Sequence, residues 1–331
     1  MRVVARAPCR VDLAGGTLDI WPLGLLHPGA RTVNVAVSLP ATVEMEGRDR
    51  GFRVVQAGSE VEAASADELS RAPSTALVGR VAESLDLPPF TVRLTTESPR
   101  GAGLGGSSAL IVALIAAAEE LLGREPSSTA SRAALGRDLE ARMMSLPTGT
   151  QDHYPALLGG ALEIAHRPGG EVVRSLPVDL ERLAGSLVVA YTGQSHFSAE
   201  QNWQVVRRRL DGEAEARELF EGIAETARRL SRALEEGDLA EVGRLMSEEW
   251  GRRRRLAEGV STPEIEALLE RARAAGAWGG KACGAGGGGS IAVLCPPERR
   301  PAVEEALDSG GARLLVGARP TARGLALERL H

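Results

Sequence analysis

The stretch 99–110, PRGAGLGGSSAL, decides how this chain is read. It carries four glycines, two serines and no acidic side chain, and it runs straight into an apolar pattern. Ile111, Leu114, Ile115, Ala118, Leu121 and Leu122 continue that pattern at helical spacing until Gly123 signals a stop. A glycine-rich turn that opens a helix presents free backbone N–H groups and the positive end of the helix dipole, and both suit a phosphate. Glycine lets the backbone approach an anion closely, while Ser107 and Ser108 add hydroxyls for phosphate oxygen or a metal. A flexible turn ahead of an ordinary buried helix has the same glycines, so the serines and the rest of the chain must carry the distinction.

Around this segment, strands are expected at 2–5, 9–14, 32–39, 41–45, 52–55 and 90–96, and helices at 75–86, 106–122 and 129–144. The mixture points to an α+β fold rather than a strict βαβ repeat. Gly159-Gly160 and the turn 167–170 separate strand-like runs at 161–166 and 171–174. From 186–192 onward the pattern changes. Charged helical stretches follow at about 198–210, 213–235, 238–257 and 263–275, then a glycine-rich stretch, a strand at 290–295, a helix near 299–308 and a final strand-like pair. A boundary between 175 and 187 divides the chain into an N-terminal domain, 1–180, and a C-terminal domain, 181–331.

Three further segments carry chemistry. In PTGTQDHYPALLGG, 147–160, Asp152 stands beside Gln151 in a loop of turn formers. A carboxylate there can accept a proton from an attacking hydroxyl if it faces a cleft, or it can cap a helix beginning at 153. Glu140, on the preceding helix, is by itself an ordinary surface carboxylate. In APCRVDLAGGTLDIW, 7–21, a strand meets a Gly15-Gly16 turn. Arg10 can hold a phosphoryl oxygen or a catalytic carboxylate, or lie on a surface strand. Asp19 can bind sugar hydroxyls or cap the turn. In GGKACGAGGGGSIAVL, 279–294, clustered glycines around Gly286 imply close backbone approach to something. The order there is loop then strand, which argues against a dinucleotide fingerprint; a structural loop closing over another domain is the alternative.

Bulk properties narrow the class. At 331 residues, 43% hydrophobic and 25% charged, the chain has room for two globular domains. Its net charge of -5 gives no electrostatic case for nucleic acid or anionic membranes. Cys9, Cys283 and Cys295 have no metal-ligand spacing, no signal-peptide pattern opens the chain and no apolar run has the length of a membrane span, so a reducing cytoplasm is expected. Nearly all basic residues are arginine, and Lys281 is the only lysine. The run Arg252–Arg255, flanked by Glu248, Glu249 and Glu258, reads as a solvated helix face.

In this order, APCRVDLAGGTLD, PRGAGLGGSSAL, QDHYPALLGG and KACGAGGGGSIAVL resemble the motifs of the GHMP kinase superfamily, over residues 5 to about 295. Within it the chain is most similar to the heptose 7-phosphate kinase and fucokinase-like sugar kinases, through RAPCRVDLAGGTLDIWP, Gln151-Asp152 and TGQSHFSAE at 192–200. The resemblance implies a ribosomal protein S5 domain 2-like N-terminal domain, a ferredoxin-like C-terminal domain and an active site in the cleft between them. It places ATP over Pro99, Gly101, Gly103, Leu104, Gly105, Gly106, Ser107 and Ser108, with Mg²⁺ on Ser107 and Glu140. Asp152 becomes the base and Arg10 its partner, while Gly15, Gly16, Thr17, Asp19, Gln151, His196 and Gly286 fall on the acceptor side. Such an enzyme moves the γ-phosphoryl group of ATP to a hydroxyl of a sugar or sugar phosphate. Catalysis in phosphoryl transfer is mainly positioning and electrostatics, which these parts supply. The chain needs a small-molecule acceptor and leaves a homodimer open.

Two positions depart from the pattern. Gly106 stands where many relatives have serine, and His196 where the heptose kinases usually have arginine, which weakens the case for an already phosphorylated acceptor. His27–Arg31 hold the nearest other basic groups. The competing readings are a catalytically inactive sugar sensor, a kinase for a non-sugar alcohol, a decarboxylase related to the diphosphomevalonate enzyme, and a dehydrogenase. The presence of Asp152, Glu140, Arg10 and Ser107 speaks against the sensor, GGTLD and Gln151-Asp152 against the decarboxylase, and the loop-then-strand order against the dehydrogenase.

Overall fold

A computed structural model describes residues 1–194 and 199–330, with the backbone alone for 199–202. The chain opens with β1 (Arg2–Ala14), α1 (Leu23–Leu26), β2 (Arg31–Gly47), β3 (Phe52–Gln56) and β4 (Ser59–Ala63). It continues through α2 (Ala66–Arg71), α3 (Ala76–Leu85), β5 (Phe90–Thr96), α4 (Gly106–Leu121), α5 (Thr129–Met144) and α6 (His153–Leu158). The hairpin β6 (Ala161–Arg167) and β7 (Gly170–Leu176) follows. Together with the last strand of the chain, β12 (Ala326–Leu330), these strands form one mixed sheet in the order β12-β1-β2-β5-β3-β4, with β6 and β7 branching from β2.

The length of β2 follows from its two partners. Its first residues pair with β6 and its last seven with β5, and Pro40 sits between, opposite Pro8 of β1. A proline cannot donate to the ladder, so it is tolerated where pairing is already interrupted. The register shifts between Pro8 and Cys9 and again between Asp12 and Ala14. Such bulges re-aim side chains, and these two bracket Arg10 and Asp12.

The second half begins with α7 (Leu180–Ser186) and β8 (Leu187–Tyr191). The helices α8 (Ala199–Leu210), α9 (Ala214–Glu235), α10 (Leu239–Arg253) and α11 (Pro263–Ala274) follow. After them come β9 (Gly279–Ala282), β10 (Ser290–Leu294), α12 (Arg300–Asp308), β11 (Arg313–Leu314) and β12 (Ala326–Leu330). β11-β8-β10-β9 form an antiparallel sheet. In chain order that is fourth, first, third, second, with helices between first and second and between third and fourth, the ferredoxin-like arrangement. The last strand, β12, returns to the first sheet and pairs with β1, so the strands of the first sheet are not confined to residues 1–180.

The fold positions the site through α4. This helix is apolar all round and buried from Ser108 to Glu119, packed against β1 and β2, as a core helix must be. The same apolar cluster takes in Ala227 and Leu230 of α9, Val242 and Met246 of α10 and Leu294 of β10. Both sheets therefore share a core, and the start of α4 opens at the seam between them. No helix among the described residues is long and apolar enough to cross a membrane.

Candidate active site

The loop before α4 takes its shape from glycine. Gly101, Gly103 and Gly105 all have φ of +71°, a left-handed conformation that disfavours side chains. At two of them space is also short. A Cβ on Gly103 would lie 2.6 Å from the Cys283 carbonyl oxygen, and one on Gly105 would lie 3.2 Å from the Asp152 side chain. Gly106 differs: the nearest atom to its Cβ would be 3.6 Å away, an ordinary contact, so a Cβ is tolerated there.

The loop lies along a cavity of about 400 Å³, within the usual size of a small-molecule site. Leu77, Val78, Leu94, Leu110 and Met143 give it an apolar wall, and Pro99 to Ser107 a backbone rim. A second cavity, of about 160 Å³, adjoins it and is lined by Thr17, Asp19, Gln151, Glu140 and Arg253 among others. Ser107 and Asp152 line both. A group bound in either cavity can thus meet the same carboxylate.

Asp152 occupies the residue before α6, yet its side chain makes no capping hydrogen bond. Instead Arg10 donates to Asp152 Oδ1 from Nε at 2.8 Å and approaches it with Nη2 at 2.6 Å. Arg10 Nη1 also donates to the Gly103 carbonyl at 2.6 Å, and its backbone N–H to Leu104 O at 2.9 Å. The arginine, 3% exposed at its side chain, ties the carboxylate to the glycine loop. Burial alone would lower the Arg10 pKa, but the charge of Asp152, then that of Asp12, raises it.

The two serines divide. Ser107 is exposed at the helix start, and Ser108 is buried, its hydroxyl donating to Glu140 at 2.8 and 3.1 Å. Behind Glu140 lies buried His153, whose Nε2 is 3.3 Å from Oε2. Burial pushes the Glu140 pKa up, but His153 and the serine hydroxyls outweigh it and hold the carboxyl below its usual range. Hydroxyl and carboxylate oxygens are the donors that Mg²⁺ selects, so Ser107 and Glu140 fit the ion expected of them.

At the smaller cavity, Asp19 accepts a hydrogen bond from the Gln151 backbone N–H at 3.1 Å. A Cβ on Gly149 would lie 1.7 Å from Asp19 Oδ2, so only glycine leaves the carboxylate its seat. Burial first, and then the negative charge of Asp152, push the Asp19 pKa up from 3.8 to about 6. Asp19 Oδ1 and Gln151 Oε1 are both buried without a protein donor.

Several expected acceptor residues are placed elsewhere. Gly286 packs against Val260, where its Cβ would lie 2.2 Å from the carbonyl oxygen; its neighbour Ala285 lines the cavity instead. Gly15 is pressed against the Arg31 backbone, and Gly16 against Asp12 and Arg253. The glycine cluster at 279–294 closes onto the loop at 99–110: a Cβ on Gly284 would meet Gly103 Cα at 2.8 Å, and Ser290 N–H donates to Ala102 O at 2.9 Å. The close approach is between two protein loops. His196 lies outside the described residues.

The run Arg252–Arg255 is not a solvated face throughout. Arg253 is only 2% exposed, and it reaches Asp12 Oδ2 at 2.9 Å, Thr17 Oγ1 at 3.1 Å and Gly284 O at 2.6 Å. Lys281 is fully buried beside it. Burial would raise the Asp12 pKa, but Lys281, then Arg253 and Arg10, overcome that and lower it.

Residues 74–160 match the GHMP kinases N terminal domain, and residues 230–313 match GHMP kinases C terminal. A mevalonate kinase of Pyrococcus abyssi is 34% identical over 255 residues, covering 73% of this chain and 69% of that one. The chain belongs to the GHMP kinases. It is therefore a phosphotransferase with an alcohol acceptor, and enzymes of this family use ATP. A D-glycero-alpha-D-manno-heptose 7-phosphate kinase of Campylobacter jejuni is 26% identical over 307 residues, covering 89% of this kinase and 90% of that one. A D-glycero-D-manno-heptose 1-phosphate kinase structure from Bacteriodes thetaiotaomicron superposes with a TM-score of 0.78 over 99% of both chains, at 22% identity, and shows the fold.

Proposed function

We propose that this kinase transfers the γ-phosphoryl group of ATP to a hydroxyl of a sugar or sugar phosphate, with Asp152 as the base. The observation that carries this reading is the carboxylate shared by two adjoining cavities, held by Arg10 at the end of the glycine loop. The larger cavity suits the nucleotide: its apolar wall can cover a base, and its glycine rim presents backbone N–H groups and a helix start to the phosphates. The acceptor enters the smaller cavity, so that its hydroxyl lies between Asp152 and the donor phosphate. Asp152 takes the proton as the hydroxyl attacks, and Arg10 balances the charge that shifts onto the transferred group. Ser107 and Glu140 hold Mg²⁺, with Ser108 and His153 fixing the Glu140 carboxylate. The bound ion supplies charge neutralisation on the phosphates.

A polyol acceptor is favoured by the acceptor side itself. Asp19 Oδ1 and Gln151 Oε1 are buried acceptors that want donors, and vicinal hydroxyls supply them. A non-sugar alcohol is the second reading, supported by the 34% identity to a mevalonate kinase. The deciding experiment is a screen of acceptor-dependent ADP release over hexoses, deoxyhexoses, heptoses, their phosphates and mevalonate. Turnover on a sugar or sugar phosphate supports the proposal; turnover on mevalonate alone overturns it in favour of the second reading.

A further inference from the structure

The densest set of charges in the interior lies beneath the acceptor cavity and does no chemistry in the mechanism above. Asp12 of β1, Glu249 and Arg253 of α10 and Lys281 of β9 meet there, each with its side chain no more than 2% exposed. Lys281 Nζ lies 3.1 Å from Asp12 Oδ2 and 2.9 Å from Glu249 Oε2. Arg253 Nη1 lies 2.9 Å from the same Asp12 oxygen and 3.9 Å from Glu249 Oε1. Two carboxylates face two cations, so the group is neutral as a whole. Removing any one member leaves an uncompensated charge in the interior, which is far costlier than the intact group.

This cluster grips the acceptor turn at two points and the loop between β9 and β10 at a third. The Gly15 N–H donates to Glu249 Oε1 at 3.2 Å, Arg253 Nη2 donates to the Thr17 hydroxyl at 3.1 Å, and the same nitrogen donates to Gly284 O at 2.6 Å. Thr17 has a φ of +81°, which a β-branched residue holds only when its surroundings impose it. Gly16 leaves room for the cluster: a Cβ there would lie 2.5 Å from both Arg253 Nη1 and Asp12 Oδ2. The Gly15-Gly16 pair of the first motif therefore serves the ion cluster rather than the cavity. Asp19 stands two residues beyond Thr17.

We propose that Asp12, Glu249, Arg253 and Lys281 form a lock between the two halves of the chain that holds the Gly15–Asp19 turn in its acceptor-binding shape, with Glu249 and Lys281 as positioning residues. The lock joins β1 to α10 and β9; Arg253 also lines the smaller cavity, while Glu249 and Lys281 act on the site through the turn. The inference rests on the phosphotransfer reading solely for which side of the reaction that turn serves. Loosening the lock weakens acceptor binding and leaves the nucleotide side intact. Restoring neutrality without the ions recovers much of what either single change loses.

The test uses the full chain and the variants Glu249→Gln, Lys281→Met and the neutral double variant. Because Lys281 is the only lysine, acetylation of a lysine side chain by an N-hydroxysuccinimide ester, read by mass spectrometry, reports on the lock without any acceptor. In the parent kinase Lys281 reacts at least about 100-fold more slowly than a free lysine amide, and Glu249→Gln speeds it at least about tenfold, as expected for a broken buried pair. With the acceptor found by the screen, each single variant raises the acceptor KM at least about tenfold, while affinity for a non-hydrolysable ATP analogue stays within about twofold. The double variant regains most of that loss. Lys281 labelling at the free-amine rate, or a rate unmoved by Glu249→Gln, overturns the lock. Parallel losses of ATP and acceptor affinity, or a double variant no better than the worse single one, overturn its positioning role. If no acceptor is turned over, the phosphotransfer reading fails while the acetylation rates still decide the lock.

Discussion

The raised Asp19 carboxyl is expected to cost this kinase stability as pH rises, and Asp19→Asn to remove that contribution. Its carboxyl titrates at about 6 in the folded chain, against 3.8 unperturbed, because burial and the nearby Asp152 charge oppose ionisation. A raised carboxyl pKa means that the folded state holds a proton the unfolded state has already released. Stability therefore falls as pH rises from about 4, and flattens once both states are ionised above about 6. A shift of this size corresponds to roughly 3 kcal/mol at full burial. Asp19 lines a cavity and is only partly buried, so about 2 kcal/mol is the better expectation. An asparagine can still accept from the Gln151 N–H and carries no charge. His27 and His166, each lowered to about 4 with burial as the first cause, act in the opposite sense, losing stability as pH falls. They are common to both proteins and cancel in the difference. Urea denaturation of the parent and Asp19→Asn, at intervals between about pH 4 and pH 7, should show the variant gaining about 2 kcal/mol over the parent across that range. Parallel stability curves would refute the assignment of a strained carboxylate. The same variant should lose acceptor affinity, the usual exchange of stability for function at a binding site.

Other substitutions probe the remaining parts. Gly103→Ala combines a left-handed backbone with a Cβ 2.6 Å from the Cys283 carbonyl, and should lower stability by about 1–3 kcal/mol in thermal unfolding while weakening ATP-analogue binding in calorimetry. Gly16→Ala forces apart the Asp12–Arg253 pair and should cost about 1–3 kcal/mol on the same thermal scale, with the acceptor KM rising and nucleotide affinity held. Glu140→Ala should raise the Mg²⁺ concentration needed for half-maximal turnover by about 10–100-fold; an unchanged metal titration would remove Glu140 from the metal site.

Which features were legible in the sequence follows from where their physical causes lie. β5 at 90–96 and α5 at 129–144 have the expected bounds because alternation and caps are local signals, the α5 cap being the Ser128 hydroxyl accepting from Ser131 N–H. β2 was expected as two strands because Pro40 interrupts it, whereas the strand runs on by changing partner there. β9, with the sequence GGKA, looks like loop and is a strand only because β10 pairs with it. The glycine loop, Asp152 and Arg10 announced themselves by motif. Arg253 did not: its burial is decided by Asp12, which lies 241 residues earlier in the chain, and a run of four arginines otherwise reads as surface. The lone lysine was the available hint, and it sits in the same cluster.

Asp152 is the residue through which both cavities meet, and its replacement tests the reaction most directly. Acceptor-dependent ADP release and ATP-analogue affinity should be measured side by side for the parent and Asp152→Asn, with the acceptor identified by the screen. If Asp152 is the base, turnover falls by about 10²–10⁴-fold while nucleotide affinity stays near the parent value. Turnover within a few-fold of the parent would contradict the central claim.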